Sequence, residues 1–103
     1  MARRHCDNKQ AVLVCDIRNS GWGISIRVTD PVTVFFSTEQ GDLDFVDATG
    51  NPTSGLPLTN TDQPLVYPEF TGKLYARTNV ALARFDFMQF PRYTESVLRT
   101  INR

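Results

Sequence analysis

Six prolines and six glycines punctuate this chain so closely that, up to about Phe90, only short segments remain between breaks, the pattern of strands and turns rather than of long helices. Within those segments apolar residues alternate. In Gly23-Ile24-Ser25-Ile26-Arg27-Val28-Thr29, the side chains of Ile24, Ile26 and Val28 fall on one side and those of Ser25, Arg27 and Thr29 on the other, as in a half-buried strand. Ala11 to Arg18 predicts a preceding strand with Leu13, Cys15 and Ile17 on one face and Val12, Val14 and Asp16 on the other. Because Asn19-Ser20-Gly21-Trp22-Gly23 tolerates positive φ, a hairpin with Trp22 at its tip is the simplest link between them. Asp30-Pro31 then sets a turn, followed by a third strand candidate at Val32 to Ser37 and a shorter fourth at Leu43 to Val46. The stretch from Ala48 to Thr61 is dense in turn formers and reads as an ordered loop or edge, anchored by Leu56 and Leu58. Two more segments, Pro64 to Glu69 and Lys73 to Arg77, flank a turn at Gly72, and the longest, Val80 to Phe90, sets Ala81, Ala83, Phe85 and Phe87 on one face.

About seven to eight short strands with frequent turns predict an all-β fold, a compact antiparallel β-sandwich or small barrel over residues 11–91. Its core is expected to hold Leu13, Ile24, Ile26, Val28, Leu74, Phe85 and Phe87. The 103 residues fit one domain. Residues 1–10 read as an N-terminal arm. Residues 92–103 read as a C-terminal arm or short helix, capped by Thr94, with Val97, Leu98 and Ile101 on one side. Both termini are charged and too poor in apolar residues for a core of their own, which predicts that they order against neighbouring chains.

Composition narrows the function. No run approaches the roughly 20 apolar residues of a membrane span, and the basic pair Arg3-Arg4 is followed by polar residues rather than the apolar run of a signal peptide. Eleven basic and eleven acidic side chains cancel, so the broad positive field of a general nucleic-acid binder is missing. Nine of the basic residues are Arg, whose planar fork suits protein interfaces better than a lysine ammonium does.

The search for catalytic chemistry returns little. The one histidine, His5, adjoins Cys6, and neighbouring strand residues point to opposite faces, which separates them as a base–nucleophile pair. Cys6 and Cys15 read as reduced thiols, Cys15 packed as a small hydrophobe and Cys6 exposed or on a mobile end. Asp42, Asp44 and Asp47, with Asn51 nearby, form the one local cluster of oxygen ligands, but their spacing is not that of a calcium loop, and a solvated acidic turn is the expectation. Gly21-Trp22-Gly23 lacks the last glycine and the strand-to-helix setting of a dinucleotide fingerprint. A non-enzymatic protein without metal or cofactor is therefore expected.

The second half of the chain resembles a family. The order Val32-Thr33-Val34-Phe35-Phe36, Ser54-Gly55-Leu56-Pro57-Leu58, Pro68, Gly72-Lys73-Leu74-Tyr75-Ala76-Arg77 and then the β segment Val80 to Phe90 resembles small β-rich virion structural and accessory proteins of tailed bacteriophages. The resemblance covers about two thirds of the chain and implies a decoration, cement, fibre-base or head–tail accessory role. It further implies synthesis in the host cytoplasm, residence in the virion, several copies forming a homo-oligomer, and partners among the major capsid, neck or fibre proteins. Asp42 to Asn51 and the segment after Pro91 depart from the family pattern and are candidate contact elements. The candidate interface residues are Arg3, Arg4, Trp22, Arg92, Val97, Leu98, Arg99 and Ile101. The alternative is a carbohydrate- or receptor-binding module presenting Trp22, Tyr67, Tyr75 or Tyr93 as flat apolar faces.

Overall fold

Alternating segments with one apolar face each are stable only when those faces meet, and two sheets here close over each other. A computed structural model of the protein describes residues 2–91. It has eight strands: β1 (Ala2–Cys6), β2 (Val12–Ile17), β3 (Trp22–Val28), β4 (Val34–Ser37), β5 (Leu56–Leu58), β6 (Leu65–Tyr67), β7 (Gly72–Thr78) and β8 (Ala83–Pro91), with a short helix α1 (Gln40–Asp44) between β4 and β5. One sheet has the order β1-β8-β3-β6 and the other β2-β7-β4-β5, with every strand pairing antiparallel. The sheets do not join, so of the two expected architectures the chain adopts the sandwich.

The inward faces of β3 and β8 contribute Ile24, Ile26, Val28, Ala83, Phe85 and Phe87, and those of β4 and β7 contribute Val34, Phe36, Leu74 and Ala76, all buried. Phe36 and Phe85 meet across the gap edge to face, with ring centroids 5.4 Å apart, a favoured quadrupole geometry. Of the seven residues expected in the core, six are buried; Leu13 is 47% exposed. The cause is a β-bulge in β2, where the pairing to β7 shifts between Leu13 and Cys15. The extra residue breaks the period of two, so that Val14 and Ile17 are buried and Leu13 turns outward opposite Tyr75.

Other expectations give way to the topology. No hairpin joins β2 and β3, because the intervening turn, with Gly21 at φ +96°, carries the chain from one sheet to the other. Trp22 accordingly opens β3 opposite Pro91 and is half-buried against the core, not at a tip. Half of the expected N-terminal arm is a strand: β1 pairs with β8 from Ala2↔Phe87 to Cys6↔Ala83. Its parity places Cys6 inside, fully buried, rather than exposed. Leu43 to Val46 is not a strand. Ser37 Oγ accepts the Glu39 amide at 3.1 Å and donates to Asp42 Oδ2 at 2.8 Å, bending the chain into α1, which buries Leu43 completely. In the following loop Leu58 reaches the core but Leu56 stays exposed at the sheet edge, and Ala81 lies ahead of β8 in the open. The expected C-terminal arm or helix lies outside the described residues.

Candidate interaction surface

Helix α1 lies on the outer face of the second sheet, over β4 and β7, and two local features hold it there. Gly55 has φ +108°, and a Cβ on it would stand 2.8 Å from Leu43 Cδ2, so the loop makes room for the buried leucine only with glycine at this position. Arg77, on the outward face of β7 and 8% exposed, supplies the second. Its Nη1 donates to the carbonyls of Leu43 (2.9 Å) and Asp44 (3.4 Å) and its Nη2 to that of Asn8 (2.8 Å). One planar guanidinium thus ties the end of α1 to the β1–β2 connection.

The chain leaving α1 is a tight, closed loop. Val46 and Pro52 form an isolated bridge, the Thr53 amide donates to the Phe45 carbonyl at 3.0 Å, and the Asp47 amide donates to the Asn51 carbonyl at 2.8 Å. At the tip Asp47 Oδ1 accepts from the Thr49 hydroxyl (2.6 Å) and from the amides of Thr49 (2.9 Å) and Asn51 (3.0 Å). These donors, the Thr49 hydroxyl foremost, hold the Asp47 carboxyl below the usual carboxylate range. Asn79 Nδ2 donates to Asn51 Oδ1 at 2.7 Å and fastens the loop to the end of β7. On this restrained backbone Phe45 is 72% exposed, the most exposed large apolar side chain among the described residues, with Val46 also open beside it. Asp42, Asp44 and Asp47 lie within three residues of it in sequence, and none forms an ion pair with another described residue.

No known protein family, curated protein or solved structure matches the chain. Among the described residues no group of three or more His, Cys, Asp or Glu is arranged to hold a metal ion, and no helix is long and apolar enough to cross a membrane. Burial, with a smaller contribution from Asp7, pushes the Cys6 thiol up from 9.0 to about 12, which keeps it protonated and unreactive near neutrality. Cys15 is also raised, chiefly by burial.

The expected interface residues divide. Arg3 and Arg4 both lie on β1, at a free edge of the first sheet: Arg3 Nε pairs with Asp86 Oδ1 at 3.3 Å on the outer face, and the Arg4 guanidinium stands 5.4 Å from the centre of the Phe87 ring. Beside them, between the β1 and β2 edges, runs an open cleft of about 250 Å³ lined by Arg3, Arg4, His5, Val12 and Leu13. A second, of about 140 Å³, lies on the outer face of the first sheet at Ser25, Arg27, Pro64, Asp86 and Met88. Both fall below the ~300–1,000 Å³ common for small-molecule sites. Trp22 is half-buried and its carbonyl accepts the Phe70 amide, while Tyr67 packs on Phe70 at 5.5 Å, so neither stands as the open flat face that sugar recognition uses. Arg92, Val97, Leu98, Arg99, Ile101 and Tyr93 lie outside the described residues. The roles of Phe45 and Arg77 were not legible in the sequence: Phe45 was expected in a strand that does not form, with the Ser37 turn motif its one contrary signal, and Arg77, expected in a strand as found, carried no sign of its buried contacts.

Proposed function

We propose that this protein is a non-enzymatic virion structural protein that contacts capsid, neck or fibre proteins and reinforces or decorates the particle in several copies. The observation that carries this reading is the Phe45 loop, an exposed aromatic side chain on a backbone pinned by Asp47, Asn51 and Asn79. A pre-ordered apolar anchor with a charged surround is what protein association rewards, because little conformational freedom is lost on docking. The loop also falls within Asp42 to Asn51, the segment that departs from the phage-protein pattern. The residue order shared with that family supports the particle context, and the small, open clefts favour macromolecular contact over an enclosed substrate site. The role calls for no cofactor.

Quantitative mass spectrometry of density-purified particles tests it. The reading expects the chain at a fixed, multiple copy number per particle, retained through repeated banding. Its presence only in the soluble fraction of the lysate overturns the role.

A further inference from the structure

We infer that the Phe45 loop of one copy seats in the cleft between β1 and β2 of a second copy. The two surfaces are complementary in polarity and in charge. Phe45 is an apolar knob that its own fold leaves uncovered, 72% exposed, on a loop restrained by its own hydrogen bonds. The cleft of about 250 Å³ has the apolar Val12 and Leu13 on one side, and Leu13 is itself exposed because the β2 bulge turned it out. A benzyl group inserted there removes apolar surface from water on both partners at once.

Charge sets the orientation. Asp42, Asp44 and Asp47, within three residues of the knob in sequence, carry no ion-pair partner among the described residues, while the cleft is lined by Arg3, Arg4 and His5. Arg4 has an aromatic face but no carboxylate within ion-pair distance among the described residues, and Arg3 commits Nε to Asp86. The zero net charge of the chain therefore conceals an acidic knob and a basic cleft, an arrangement that attracts copies in one orientation and repels knob from knob and cleft from cleft. A contact of this size is weak for one pair and gains strength by repetition, which suits the multi-copy role proposed above.

The contact deepens that role but is measured on the purified 103-residue chain, so each can fail without the other. Sedimentation velocity over a range of roughly 10 µM to 1 mM should show reversible self-association that weakens with added salt. Phe45→Ala, Arg4→Glu and Asp44→Lys should each weaken it by about tenfold or more, with circular dichroism confirming that each variant is folded. Leu13→Asp tests the same cleft from an exposed side chain and should act alike. The chain carrying both Arg4→Glu and Asp44→Lys, which exchanges the charges of one knob–cleft pair, should regain association over either single variant. Val66→Ser, on the outer face of the first sheet, should leave it unchanged. A monomer throughout the range, association indifferent to Phe45→Ala, or a charge-exchanged double variant no better than the single variants overturns the inference.

Discussion

A guanidinium buried without a carboxylate is tolerated only where other dipoles replace its water, and Arg77 finds three carbonyls, those of Leu43, Asp44 and Asn8. Its Nε, also buried, has no acceptor among the described residues, so the three Nη contacts carry the compensation. Replacing Arg77 with Met keeps much of the stem but strands those carbonyls; a loss of about 1–3 kcal/mol is expected in chemical unfolding, with faster amide exchange across α1. Phe85 presents the simpler case of packing alone. It is fully buried and edge-on to Phe36, so Phe85→Ala should cost about 3–5 kcal/mol through lost transfer energy and the cavity left behind, and a loss below about 1 kcal/mol would contradict its place in the core. Cys6 adds a pH dependence. Its folded pKa, about 12, lies above the ordinary 9.0, so the folded state holds this proton more tightly than the unfolded chain does. The associated stability is present in full below about pH 9 and declines as pH rises toward 12. Unfolding midpoints measured across that window should fall more steeply for the wild type than for Cys6→Ala.

Among the elements, α1 and β2 show how one residue redirects a segment. Five residues of helix have little stability of their own, so α1 exists because Leu43 is buried beneath it and Arg77 holds its end. Gly55 is the third support. Gly55→Ala forces a Cβ to within 2.8 Å of Leu43 at a φ of +108° and should cost about 1–3 kcal/mol, seen in thermal unfolding, together with loss of the rigid presentation of Phe45. In β2, alternation was legible as a strand, yet its faces were not, since a bulge between Leu13 and Cys15 leaves no reliable mark in residue types. The consequence reaches the candidate surface, because that bulge is what exposes Leu13 at the cleft.

At the scale of the whole molecule, all but one of the strand connections cross from one sheet to the other; only β4 and β5 are both consecutive and paired. Neighbouring strands in sequence therefore mostly face each other across the core instead of sharing hydrogen bonds. Such a topology makes folding depend on non-local pairing, above all on β1 with β8, which joins the two ends of the described chain. Deleting residues 2–6 should uncover the inward edge of β8 at Ala83, Phe85 and Phe87, and is expected to lower the unfolding midpoint sharply in a denaturant titration. A detachable arm would leave that midpoint unchanged.

The alternating strands β3 and β8 were determined by the sequence alone, because period-two alternation and the Pro and Gly breaks act locally: Ile24, Ile26, Val28, Phe85 and Phe87 are buried as their spacing requires. The chain's short apolar runs likewise sufficed for a sandwich or barrel of about eight strands. Which strands pair, and thus whether residues 2–6 are an arm or an edge strand, was decided only by tertiary structure, since β1 finds its partner about 80 positions away. The same holds for the candidate surface. Phe45 is exposed because Leu43, two residues earlier, takes the buried position under α1, and Arg77 becomes a clamp only when Asn8 and α1 converge on it. Local patterning states how apolar a residue is; which of two nearby apolar residues is covered depends on the surfaces that distant parts of the chain bring to it.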